Sequence, residues 1–261
     1  MTYTVNCSIL LTELPLLERP AAARAAGFDA VEFWWPFASS VPSDADITAF
    51  TGAIRDSGVQ LTGLNFNAGD MPGGDRGLVS WPARSNEFRD NIAVVAGIGS
   101  ELGCRAFNAL YGNRLDEASA EEQDAIGAEN LAAAAAGVAG INGIVLLEPV
   151  SGTEAYPLKT AADALAVIDR VTTQSGATNV KLLADFYHLA VNGDDVAAVI
   201  ESHAADFGHI QIADDPGRGA PGTGNLPLSQ WLERSTELGY EGYIGLEYKA
   251  PKENAFDWVS A

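Results

Sequence analysis

Short apolar runs rich in β-branched and aromatic residues alternate along the chain with longer stretches whose apolar positions recur at helical spacing. The runs predict eight strands, at Thr4–Leu10, Ala30–Trp35, Gln60–Phe66, Arg105–Leu110, Gly143–Val150, Val180–Phe186, Phe207–Asp214 and Tyr243–Tyr248. The stretches between them predict helices over Leu16–Ala26, Asp46–Asp56, Glu87–Leu102, Glu121–Ala139, Ala161–Thr173, Val196–Ala205 and Leu228–Leu238. Gly27, Gly58, Gly103 and Gly239 stand where four of these helices should end in a left-handed cap, each just before a hydrophobic residue that leads into a strand. Regular strand–helix alternation predicts a parallel sheet with crossover helices. Eight repeats in 261 residues favour closure into a single (β/α)8 barrel domain over residues 1–261. An open dinucleotide-binding sheet is disfavoured, because no G-x-G-x-x-G follows the first strand.

Composition narrows the setting. With 47% hydrophobic residues the chain can fill one large core. No uninterrupted apolar run reaches the roughly 20 residues of a membrane span, so no membrane partner is expected. The amino terminus enters a strand without the basic flank and apolar stretch of a secretory leader. Cys7 and Cys104, both in apolar runs, read as buried reduced thiols of a cytoplasmic protein. The 35 acidic residues against 15 basic ones give a formal charge of −20, which disfavours nucleic acid as a partner. A small anion stays compatible, since a bound cation reverses the local field. Exposed apolar helix faces would allow a homo-oligomer.

In such barrels the chemistry sits at the C-terminal ends of the strands. Four consecutive strands carry a polar side chain there: Glu148, Asp185, Gln211 and Glu247. Adjacent strands lie about 4.8 Å apart, so these groups can converge on one point. Three carboxylates brought together repel and shift one another's pKa, and one divalent cation removes that cost. Oxygen-only donors select a hard ion, Mg2+ or Mn2+, rather than zinc. The alanine run Ala132–Ala136 reads simply as a close-packing helix.

Around that quartet, His188 follows Asp185 in the loop expected after strand six and is placed to touch substrate. His209 shares inward parity with Gln211 one layer deeper and reads as a supporting residue, whereas His203 ends a helix at the surface. Glu32 points inward by the same parity, with no partner evident. The aromatic string Phe33–Phe37 reads mostly as core, with some rings walling the pocket. Two glycine-rich loops flank the site, one after strand three with Asn65 and Arg76, one from Asp214 to Gly224 with Arg218. Neither ends in the Lys-Ser/Thr of a phosphate-binding loop. Arg218, framed by glycines, suits a bidentate clamp on a substrate carboxylate, with Arg76 the weaker candidate.

The segments Val31-Glu32-Phe33, Ala68-Gly69-Asp70, Asn86–Arg89, Leu147-Glu148-Pro149, Asp185–His188, His209–Asp214, Arg218–Gly224 and Gly245–Lys249 together resemble hydroxypyruvate isomerase and its 2-oxo-tetronate isomerase relatives. The resemblance runs in order through all eight strands and is most specific from Gly208 to Gly224. It places the chain beside ketose 3-epimerases and endonuclease IV in the xylose-isomerase-like barrel superfamily. It implies that Glu148 and Glu247 are the acid/base pair and that they hold the metal with Asp185 and Gln211. It implies as substrate a small hydroxy-keto sugar acid, hydroxypyruvate or a four-carbon homologue, isomerised through an enediolate, with Asn65 among the substrate contacts. One departure stands out: Leu64 precedes Asn65 where the family often has histidine.

Competing expectations weigh less. The resemblance gives ketose 3-epimerases a histidine ligand on strand seven, where this chain has Gln211. An endonuclease IV-like nuclease would need a histidine-rich zinc cluster, against three histidines in all. A non-catalytic, metal-stabilised sugar-acid binding protein leaves the paired carboxylates without a role.

Overall fold

Parallel pairing runs unbroken from β1 (Tyr3–Asn6) through β2 (Ala30–Phe33), β3 (Gln60–Asn65), β4 (Ala106–Asn108), β5 (Ile144–Leu147), β6 (Val180–Asp185), β7 (Phe207–Ile212) and β8 (Ile244–Leu246), then back to β1. The computed structural model describes Met1–Ser260. The barrel is ringed by α1 (Arg19–Ala25), α2 (Asp44–Ser57), α3 (Ser85–Leu102), α4 (Ala120–Ala139), α5 (Ala161–Ser175), α6 (Phe186–Val191), α7 (Val196–His203) and α8 (Leu228–Glu237). Among the described residues no helix is long and apolar enough to cross a membrane.

Local chemistry accounts for the helix ends. The side chains of Ser43, Ser119 and Thr160 each accept the N–H three residues on, opening α2, α4 and α5; losing such a cap costs about 1 kcal/mol. Gly27, Gly58, Gly103 and Gly239 all take left-handed φ, as expected of them. α1 begins later than the apolar spacing predicts, after a 3-10 turn over Leu16–Glu18, with Pro20 in its first turn.

Most predicted strands overrun the ladder at their C-terminal ends. β1 stops at Asn6 rather than Leu10, β5 at Leu147 rather than Val150, and β8 at Leu246 rather than Tyr248. The cause is that Leu10, Val150 and Tyr248 are all buried beyond the last paired residue, so apolar character continues where pairing has ended. At β1 the turn is explicit: the Asn6 carbonyl accepts the N–H groups of Ile9 and Leu10, and its side-chain oxygen accepts that of Ser8. Between sheet and helices lies an aromatic layer, with Phe33 edge-on to Phe50 and Phe186 edge-on to Trp231. Ala134 and Ala135 of α4 are fully buried, the close approach expected of the alanine run.

Candidate active site

Of the four polar residues at the strand ends, Glu148 and Glu247 wall a cavity of about 890 Å³ at the C-terminal mouth of the barrel, with Trp34, Asn65, Arg76 and Arg218 among others. Asp185 and Gln211 are buried and outside its lining, Gln211 bordering a small separate cavity with Asn6, Glu32 and His209. Register sets their heights. Asp185 pairs with Gln211, and Gln211 with Gly245, so these side chains start from one level. Glu148 and Glu247 each lie one residue past their strand. Glu148 is pinned through its carbonyl, which accepts the Tyr156 hydroxyl at 2.9 Å, while that hydroxyl accepts the Tyr111 N–H.

Each glutamate is held at one oxygen by a neutral donor. Asn108 Nδ2 donates to Glu148 Oε2 at 2.7 Å, and Trp34 Nε1 donates to Glu247 Oε1 at 2.6 Å. The remaining oxygen of Glu247 lies 3.1 Å from Arg218 Nη2, an ion pair whose N–H is not aligned for a hydrogen bond. Asp185 uses Oδ1 to cap α6, accepting the N–H groups of Tyr187 and His188. Gln211 donates its Nε2 to Glu32 Oε1 at 2.7 Å. These bonds leave Asp185 Oδ2, Gln211 Oε1 and Glu247 Oε2 buried without a hydrogen-bond donor. An unsatisfied buried acceptor costs about 1–3 kcal/mol. Buried oxygens without hydrogen-bond donors on three successive strands are the kind of donor a hard divalent cation takes. Among the described acidic and histidine side chains, however, the group whose ligand atoms all lie within 4.8 Å is Glu148, Asp185 and His188, with Glu247 outside it and ion-paired to Arg218.

Electrostatics point the same way. Burial, then the charges of Glu247 and Asp185, push Glu148 well above the ordinary carboxylate range. Burial raises Glu247 to about 8, opposed by Arg218 and reinforced by Asp185 and Glu32. Burial works against the Arg218 guanidinium, but Glu247, Asp185 and Glu148 outweigh it and hold its charge firmly.

His188 sits on α6 rather than in a loop; the Asp185 cap is what closes that turn of helix. Its Nε2 lies 3.9 Å from Glu148 Oε1 and 3.7 Å from Asp185 Oδ2, and ligand atoms of the three lie within 4.8 Å of one another. Yet the ring is not set up as a ligand. Its Nδ1 accepts the Ser151 backbone N–H at 3.1 Å, so the neutral ring carries its proton on Nε2, the atom facing the carboxylates. Burial lowers the ring to about 4, which keeps it neutral. It offers the pocket an N–H donor, as a substrate contact would.

Arg218 reaches the site from a loop that is tightly tied. The buried Asp214 carboxylate accepts four backbone N–H groups, from Asp215, Gly222, Gly224 and Leu226. Arg218 itself takes φ 57°, donates Nε to the Glu247 carbonyl and stacks over Tyr187. Arg76 lines the opposite wall, with Nη1 donating to the Met71 and Asp75 carbonyls. Asn65 lies at the base of the same wall, and Leu64 beside it is packed in the core.

Glu32 has partners on every side: Asn6, Gln211 and, at Oε2, His209 Nε2 at 2.7 Å. His209 is therefore a supporting residue, and His203 pairs with Asp206 near the surface. The sequence pattern missed Asn108, Trp34 and Ser151 as functional side chains. Asn108 could have been found, because it closes the apolar pair Ala106-Phe107 as Asp185 closes strand six. The Trp34 indole gave no such signal amid its aromatic neighbours.

Comparison with known proteins agrees with the fold. The family model described as "Xylose isomerase-like TIM barrel" matches residues 20–260. A Streptomyces coelicolor protein named "Putative hydroxypyruvate isomerase" is 52% identical over 99% of this chain and 95% of its own length. A 2-oxo-tetronate isomerase of Cupriavidus necator is 34% identical over 95% of this chain and 92% of its own. Among solved structures, that of a family 2 AP endonuclease from Brucella melitensis superposes with a TM-score of 0.88 at 28% identity, covering 99% of this chain and 98% of that one.

Proposed function

The chain belongs to the hydroxypyruvate isomerase family of xylose isomerase-like TIM barrels, and from that premise we propose that it is a metal-dependent isomerase of a short hydroxy-keto acid. The substrate is hydroxypyruvate, converted to tartronate semialdehyde, or its four-carbon 2-oxo-tetronate homologue. The observation that carries this reading is the pair Glu148 and Glu247, each restrained at one oxygen by a neutral N–H and buried beside bare acceptor oxygens.

In this reading Glu148, Asp185, Gln211 and Glu247 hold Mg2+ or Mn2+, which as a Lewis acid stabilises negative charge on the substrate oxygens. One glutamate removes a proton from the hydroxyl-bearing carbon beside the ketone (the hydroxymethyl carbon of hydroxypyruvate, the secondary carbinol of the four-carbon acid), and the other returns a proton to the former carbonyl carbon. The hydroxyl proton passes between the two oxygens, so the reaction is balanced without any co-reactant. The upward push that burial gives both carboxylates is the direction a proton-transferring group requires. Asn108 and Trp34 keep each carboxylate from rotating away. His188 Nε2–H donates to a substrate oxygen, Arg218 and Arg76 attract the substrate carboxylate, and Asn65 contacts the substrate from the β3 side.

A phosphodiester, the bond that an endonuclease cuts, suits this pocket less well. The pocket floor is acidic and the chain carries a formal charge of −20. Two buried free thiols, Cys7 and Cys104, fit a reducing cytoplasm.

The test is turnover of hydroxypyruvate and of a four-carbon 2-oxo acid after treatment with EDTA and after addition of Mn2+ or Mg2+. The proposal expects one of the acids to be isomerised, with activity abolished by the chelator and restored by the ion. Turnover indifferent to chelation would contradict the metal, and no turnover of either acid would contradict the substrate class.

A further inference from the structure

A glutamine ligand raises a problem that an aspartate does not: its two ends have nearly the same shape, but only one can face a cation. In the flipped amide, an NH2 group would point at the ion site. Something must decide the orientation. Gln211 Nε2 lies 2.7 Å from Glu32 Oε1, and Asn6 Nδ2 donates to the same oxygen at 3.1 Å. Glu32 Oε2 is taken by His209 Nε2 at 2.7 Å. Glu32 is on β2 and Gln211 on β7, separated by β1 and β8, so the contact crosses the barrel interior. Glu32 Oε1 already accepts from Asn6 Nδ2, so that oxygen faces Gln211 as an acceptor. Gln211 approaches it nitrogen first, which leaves its own Oε1 buried without a hydrogen-bond donor.

The flanking strands make room for this contact. Gly63 is in register with Glu32, and a Cβ there would lie 3.2 Å from the Glu32 Cβ. Gly245 is in register with Gln211, and a Cβ there would lie 2.7 Å from both Gln211 Cγ and Glu32 Oε1. No real side chain tolerates that second approach without a shift, so glycine at 245 keeps the pair together.

We infer that Glu32 is a positioning residue that fixes the Gln211 amide with its oxygen towards the metal site, a carboxylate–amide counterpart of the carboxylate–histidine pairs that orient metal ligands. His209 and Asn6 in turn hold Glu32. The carboxylate also draws amide electron density towards Oε1 while leaving the ligand itself neutral. A fourth anionic ligand would only add to the repulsion among Glu148, Asp185 and Glu247.

The inference rests on the proposed metal site, and its test reads metal affinity rather than turnover. Mn2+ binding to the full chain is measured by titration calorimetry for wild type, E32M, Q211M and the double variant. E32M is expected to weaken Mn2+ by about 10- to 100-fold, the usual cost of losing such a support. Because Glu32 acts through Gln211, the double variant should bind no more weakly than Q211M alone. An E32M affinity equal to wild type, or a loss that adds in full to that of Q211M, would overturn the inference while leaving the metal site standing. A wild type that binds no Mn2+ would overturn both. Should E32M fail to fold, the side-chain amide protons of Gln211 in wild type decide, assigned by their disappearance in Q211M. Protection of both protons from solvent exchange, with and without Mg2+, supports the fixed amide; exchange as fast as that of an exposed glutamine refutes it.

Discussion

The indole N–H of Trp34 donates to Glu247 Oε1 at 2.6 Å, joining residues 213 positions apart in the sequence. A hydrogen bond to a charged group contributes about 1.5–3 kcal/mol. Trp34→Phe keeps a ring in place but removes the donor, so kcat should fall by about 10- to 100-fold with a much smaller change in KM. Asn108→Leu should do the same through Glu148. Steady-state kinetics on the two variants checks both, and a loss confined to KM would mean that these donors serve binding instead.

Asp214 makes a second, structural prediction. Its carboxylate satisfies four backbone N–H groups of the loop that delivers Arg218. At about 0.5–1.5 kcal/mol for each of the four bonds, Asp214→Ala should lower stability by roughly 2–6 kcal/mol in urea unfolding. Amide hydrogen exchange should quicken across Gly217–Gly224, and turnover should fall with it. Unchanged exchange in that loop would show that other contacts tie it down.

The raised carboxylates predict how stability depends on pH when no metal is bound. Glu247 stays protonated in the folded chain up to about 8, whereas its ordinary value is 4.5. Between those values the folded state binds more protons than the unfolded one, so the stability contributed by this group falls as pH rises. Glu148 shifts in the same direction. His188, lowered to about 4, acts oppositely and costs stability below its ordinary value of 6.5. Thermal unfolding of chelated protein should therefore show Tm declining from about pH 6.5 towards pH 8. Mn2+ should raise Tm more at pH 8 than at pH 6, and Glu247→Gln should flatten the chelated profile. A chelated Tm that rises over that interval would contradict the buried-carboxylate picture.

Much of this was legible in the chain because the barrel couples local pattern to position. A polar residue just past an apolar run lands at the mouth, as Glu148 and Glu247 do, whereas Asp185 and Gln211, the last or next-to-last residues of their strands, are buried outside the lining of that cavity. Contacts that cross the barrel could not be read this way. Parity points Glu32 inward, but its meeting with Gln211 depends on the closure of eight strands, not on any local spacing. The α6 helix was hidden for a different reason: Asp185 closes a strand and caps a helix at once, leaving no turn residues between them. The predicted strands ran long because burial outlasts pairing at the mouth, so hydrophobicity alone does not mark where a ladder ends.

The most direct test of proton transfer between Glu148 and Glu247 is solvent deuterium incorporation, followed by NMR, during turnover of the accepted keto acid in D2O with Mn2+ removed before detection. Wild type should place deuterium on the carbons that exchange carbonyl and hydroxyl, and Glu148→Gln and Glu247→Gln should each lose about 10²- to 10⁴-fold in isomerisation. One of the two variants should still exchange the proton on the hydroxyl-bearing carbon beside the ketone, identifying the remaining glutamate as the group that removes it. Isomerisation at near wild-type rate in either variant would contradict the paired-glutamate mechanism.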